Sequence, residues 1–142
     1  MGLVNVPIKE GVNSPRIYTA RGTYDFTVEG GAVSTIGLMG ATLLPAGITI
    51  IGGYVDVQTQ VTGAGASIAC QVEAANDILT AVAIASWTTG RKNILPQLGA
   101  GALTASTVVR TTAARDISIV ISAAVVTAGR FHVVLFYNAA LA

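Results

Sequence analysis

The segment at residues 46–61, AGITIIGGYVDVQTQV, constrains the fold more than any other part of the chain. From Ile51 onward the odd positions carry Ile51, Gly53, Val55, Val57, Thr59 and Val61, with Tyr54, Asp56, Gln58 and Gln60 between them. A period of two with one apolar side is the pattern of a half-buried strand. Ahead of the glycine pair the phase is reversed, because Ile48 and Ile50 sit on even positions. One face stays apolar only if an extra residue is inserted near Ile51-Gly52-Gly53, which predicts a β-bulge with glycine supplying the unusual backbone. A strand that bends and changes phase suits a position serving both sheets of a sandwich. A helix would turn Asp56 and the glutamines inward and is discarded.

The rest of the chain repeats the theme. Residues 1–15 contain two prolines and turn residues with weak periodicity, so they read as an extended arm ahead of a domain at residues 16–142. Within the arm Val4, Val6 and Ile8 are the candidate contact residues. Residues 17–28 alternate, with Tyr18, Ala20, Gly22, Tyr24, Phe26 and Val28 on one side, and read as the first long strand. Residues 32–38 form a second, shorter strand, followed by a loop around Gly40 and Pro45. The long central strand ends at Thr62-Gly63-Ala64-Gly65, a connection of hairpin length. Its expected return partner is residues 66–74, with Ala66, Ile68, Cys70, Val72 and Ala74 inward. Residues 75–87 fit either a strand or a short helix capped by Asn76 or Asp77 with Ile78, Val82 and Ala85 inward, and the helix is preferred. Residues 87–92 read as a turn, 94–101 as a loop and 102–111 as renewed β pattern.

The last third predicts a second hairpin. Ile117, Ile119, Ile121 and Ala123 point inward on one arm, and Phe131, Val133, Leu135 and Tyr137 on the other. On the final strand His132, Val134 and Phe136 form a second, fairly apolar face that needs a cover: another sheet, the arm or a second subunit. Six to eight strands with short turns and at most one helix make an all-β, antiparallel β-sandwich of jelly-roll type the expected architecture.

Composition bears on the surface. Only 11% of the 142 residues are charged, against about 25% in an ordinary globular protein. Too few charges remain for the surface of a lone monomer, which points to a close-packed oligomer or a lattice. A net charge of +1 without a basic stripe argues against nucleic acid as the main partner. Residues 30–55 lack charge, yet seven glycines and Pro45 interrupt them, so no membrane partner is expected. Residues 1–15 show no secretory signal. Cys70, the only cysteine, reads as a small core residue and is compatible with synthesis in a reducing cytoplasm.

Chemistry is sought and not found. The only histidine, His132, has no companions at metal-ligand spacing, and reads as a strand residue at a subunit contact or bonded to backbone. No Gly-x-Ser-x-Gly elbow is present, and the seven acids mostly sit singly on solvent-type strand positions. The glycine pairs at 63 and 65 and at 99 and 101 are turns, because neither opens a phosphate-binding loop. Neither catalytic residues nor a cofactor are expected. Trp87 is a candidate core or interface anchor rather than a sugar-stacking platform, since aromatics make up only 6% of the chain.

The segments TYDFTVEGGAVSTIGL (23–38), LPAGITIIGGYVDVQT (44–59), AANDILTAVAIASWTTG (74–90) and TTAARDISIVISAAVVTAGRFHVVLFY (111–137) resemble small virion structural proteins of tailed bacteriophages. The likeness covers most of the chain after the arm. It implies a non-enzymatic decoration, cement or head-fibre protein on the outer surface of the capsid, made in the bacterial cytoplasm. The partners expected on that basis are further copies of the chain, as a homotrimer, and the major capsid protein. A tail or fibre component with a receptor-binding sandwich is the alternative. The candidate contact residues in the domain are Trp87, His132, Val134 and Phe136.

Overall fold

Eight strands pair in a nested antiparallel order in the computed structural model, which describes residues 16–94 and 109–139. They are β1 (Ile17–Asp25), β2 (Ser34–Gly37), β3 (Thr49–Thr62), β4 (Ser67–Gln71), β5 (Leu79–Ala83), β6 (Gly90–Asn93), β7 (Ser118–Ser122) and β8 (Ala128–Asn138). Strand β1 pairs with β8, β2 with β7, β3 with β6 and β4 with β5. This is the pairing of one long ribbon rolled onto itself. It yields two four-stranded sheets, β1-β8-β3-β6 and β2-β7-β4-β5, and hence an all-β jelly-roll sandwich.

The predicted bulge lies where the phase change put it. The register of β3 against β8 shifts between Ile50 and Gly52, which makes Ile51 the inserted residue. Ile48, Ile50, Val55 and Val57 are buried on one side of this break and the other, while Ile51 is 44% exposed rather than inward. The glycines do not provide left-handed backbone, since neither Gly52 nor Gly53 has a positive φ. Gly53 is needed for closeness: a Cβ there would lie 2.6 Å from the Val134 carbonyl oxygen. Nor does β3 serve both sheets. It remains between β8 and β6.

Neither expected hairpin forms. Strands β3 and β4 belong to opposite sheets, as do β7 and β8, and the short links between them turn corners. Alternation reports only which side of a strand faces the core, and two strands on opposite walls of one core match in phase as well as two neighbours do. The inward residues are otherwise as read: Ile68, Cys70, Ile117, Ile119, Ile121, Phe131, Val133 and Leu135 are fully buried. Ala74 and Ala123 are exposed instead. Burial pushes the Cys70 thiol up to about 12, as suits an inert core residue.

Two local assignments change. Strand β1 stops at Asp25, whose carboxylate accepts the Thr27 amide at 3.0 Å and caps a one-turn helix, α1 (Phe26–Glu29). Val28 therefore leaves the strand pattern and is 76% exposed. Residues 75–87 hold β5 and a single 3-10 turn at Ile84–Ser86, not the preferred helix. Asp77 turns backward, accepting the amides of Val72, Glu73 and Ala74, so it closes the preceding turn and starts no helix. The expected turn after Trp87 contains β6, which pairs with Tyr54 to Val57 of β3. The arm and most of residues 94–111 lie outside the described residues.

Between the sheets Phe131 touches two other aromatic rings, Tyr24 at 5.0 Å and Trp87 at 4.8 Å between centroids. Such pairs add roughly 0.5–1.5 kcal/mol each beyond their burial.

Candidate interaction surfaces

The outer face of the β1-β8-β3-β6 sheet carries the histidine and its neighbours. In register, Thr23 stands beside His132 and Arg21 beside Val134 on β1, while Asp56 and Tyr54 stand beside the same two residues on β3. Arg21 Nη2 lies 2.6 Å from His132 Nε2, and Thr23 Oγ1 lies 2.8 Å from Nδ1. A guanidinium can only donate, so Nε2 accepts and the ring proton sits on Nδ1, donated to the Thr23 hydroxyl. The imidazole is thereby held neutral. Burial, then the positive charges of Arg21 and Arg130, lower its pKa, against a smaller opposing effect of Asp56. Among the described residues no group of three or more His, Cys, Asp or Glu could hold a metal ion.

The second face of β8 is covered largely by its own chain. The Arg91 guanidinium lies 4.3 Å above the Tyr54 ring, and Tyr54 meets Phe136 at 5.9 Å. Side chains of the flanking strands β1 and β3, with Arg91 of β6 laid over Tyr54, leave His132 and Val134 buried and Phe136 partly exposed. Trp87 is a core residue, 3% exposed, with its indole N–H directed at the Val82 carbonyl. It is therefore not an available surface anchor. Val4, Val6 and Ile8 lie outside the described residues.

A second surface escaped the sequence reading. The connections β1–β2, β3–β4, β5–β6 and β7–β8 meet at one end of the sandwich. The Val126 amide donates to the Gly31 carbonyl, the Thr127 amide to Thr62, and the Ile84 amide to Ala66. In residues 26–33, 62–66, 84–89 and 123–127 the only charged side chain is Glu29. Val28, Val33 and Val125 are exposed there at 76%, 56% and 54%. A shallow hollow of about 350 Å³ lies alongside, between residues 60–66 and 83–85. The signal available in the sequence was the lack of charge in four successive alternate connections. It becomes a surface only once the topology gathers them.

The opposite end carries charged side chains, beside an exposed Leu43. Glu73 binds Arg115 through a salt bridge of 2.8 Å and also accepts from Thr112. The hydrogen bonds from Arg115 and then Thr112 hold its carboxyl down to about 2.

Searches with the sequence match no family model and no curated protein. The fold does have counterparts. A chain of the cyanophage Pam1 capsid asymmetric unit superposes with a TM-score of 0.60 at 16% identity, over 89% of this chain and 86% of that one. A chain of the Ralstonia phage GP4 capsid gives 0.59 at 15% identity, over 96% and 91%. A chain from the acidic stable capsid of Helicobacter pylori bacteriophage KHP30 gives 0.58 at 12%, over 89% of each. The likeness at these identities is one of fold, and it extends over nearly the whole of each chain.

Proposed function

We propose that this chain is a non-enzymatic virion structural protein of a tailed bacteriophage, a decoration protein that assembles on the outer surface of the head and stabilises contacts between major capsid subunits. The observation that carries this reading is the fold shared, almost end to end, with chains of three phage capsids. The charge-poor end bearing Val28, Val33 and Val125 supports it independently, since exposed apolar groups clustered at one place mark contact with other protein. Capsid neighbours favour the head over the tail. A homotrimer seated through these valines would bind the lattice at several points at once, turning weak single contacts into firm attachment. Residues 1–15 serve in this scheme as an arm along neighbouring subunits.

Labelling of purified virions with an antibody against the chain, combined with its copy number per particle, tests the assignment. Many copies over the head are expected. Label confined to the tail tip, or absence of the chain from particles, rejects it. Removal of residues 1–15 should leave the folded domain intact and weaken its rebinding to stripped heads.

A further inference from the structure

The outer face of the β1-β8-β3-β6 sheet has charged groups that form no ion pair among the described residues, although Asp56 stands opposite Arg91 in register. Arg21, Asp56, Gln58 and Arg91 line, with Tyr54 and His132, a depression of about 440 Å³. Sites for small ligands span roughly 300–1,000 Å³. Among the described residues neither guanidinium forms an ion pair, and neither does Asp56. Arg21 gives one N–H to His132 and Arg91 lies over Tyr54, so both keep further N–H groups for an acceptor. Because His132 is neutral, the two arginines and Asp56 leave this face with an excess of one positive charge.

We propose that this depression binds an acidic saccharide, a sugar ring bearing one carboxylate. The carboxylate would accept from Arg21 and Arg91, where charge-assisted, bidentate bonding is strongest. The ring hydroxyls would donate to Asp56 and exchange hydrogen bonds with the Gln58 amide. That combination selects among anions. An acidic peptide would bring several carboxylates beside Asp56, a like-charge contact that disfavours it. A bare anion would leave Asp56 without a donor. Recognition here depends on charged groups rather than on an aromatic platform, in keeping with a chain poor in aromatic residues.

The test is an NMR titration of the isolated protein with glucuronate, glucose and sulfate, so it is independent of whether the protein sits on a capsid. Glucuronate should give saturable shifts around Arg21, Asp56 and Arg91 with a dissociation constant on the order of 1 mM. Glucose should bind about tenfold more weakly or less. Arg91→Gln, at an exposed position, should weaken glucuronate and sulfate alike by about tenfold. Asp56→Asn should weaken glucuronate while leaving sulfate unchanged or tighter. Sulfate binding as tight as glucuronate, tighter binding of an oligo-aspartate peptide, Asp56→Asn improving both, or no shifts at all would each overturn the proposal.

Discussion

The two ends of the sandwich are closed in opposite ways. At one end carboxylates do the closing: Asp77 takes three backbone amides, Asp116 takes the Met39 amide, and Glu73 takes Arg115 and Thr112. At the other, beyond the Asp25 cap of α1, backbone meets backbone across glycines, and the valines are left outside. Among the described residues, the polar end fixes its connections with carboxylates of its own chain. The apolar end is also bonded internally, but among its exposed threonines it presents Val28, Val33 and Val125 to water. The exposed valines have a specific consequence at their end, the need for another protein surface.

The largest expected effect tests whether the apolar end really is built by close backbone approach. A Cβ at Gly31 would fall 1.8 Å from the Val126 carbonyl oxygen and 2.6 Å from its carbon. Backbone atoms cannot yield as a flexible side chain can, so Gly31→Ala should cost about 3 kcal/mol. In thermal unfolding this is a loss of about 10 °C. Gly40, near the polar end, has φ +66 but nothing within 4 Å of an added Cβ. Gly40→Ala should cost only about 1 kcal/mol, from backbone strain. Equal losses for the two variants would remove the distinction between the ends.

A smaller effect on stability, but a decisive one on assembly, is expected from the exposed valines. Val28→Asp with Val125→Asp should change monomer stability by no more than about 0.5 kcal/mol, because both side chains already face water. In an assembly that buries this end, two unpaired carboxylates would be desolvated, and the dissociation constant should rise by at least about tenfold. Sedimentation equilibrium measures it. Ala113→Asp, exposed near the polar end, is the matched control and should leave assembly unchanged. An oligomer indifferent to the double variant would exclude the apolar end as its contact.

How much of this was legible follows from what alternation can and cannot encode. The burial of Ile117, Ile119 and Ile121, and of Phe131, Val133 and Leu135, was readable because each strand has a core side. The bulge at Ile51 was readable because the core side changes parity across it. Pairing partners were not, since a period of two is silent about whether the next strand is a neighbour or the opposite wall. The Asp77 carboxylate illustrates the same limit locally: an acid before an apolar run can cap forward into a helix or close a turn behind it. At the candidate site the apolar outer stripe of β8 was visible, but its cover was not. Arg21 meets His132 across 111 positions of sequence, and only the register of β1 with β8 brings them together.

The smallest effect expected concerns the charge that closes the polar end. Glu73 has a folded-state pKa of about 2 against an ordinary 4.5, caused first by its bonds from Arg115 and then by those from Thr112. A depressed carboxylate pKa means that the unfolded chain binds the proton more readily, so stability rises with pH across this window. The contribution is complete above about pH 4.5 and is lost as pH falls toward 2. Glu73→Gln should therefore unfold at a lower temperature than the wild type at neutral pH, by less than Gly31→Ala does. Its deficit should hold steady down to about pH 4.5 and close as pH approaches 2, while assembly through the apolar end is unaffected by the substitution. A deficit that persisted at pH 2 would mean that Glu73 acts through packing rather than charge, and the contrast between the two ends would lose its energetic basis.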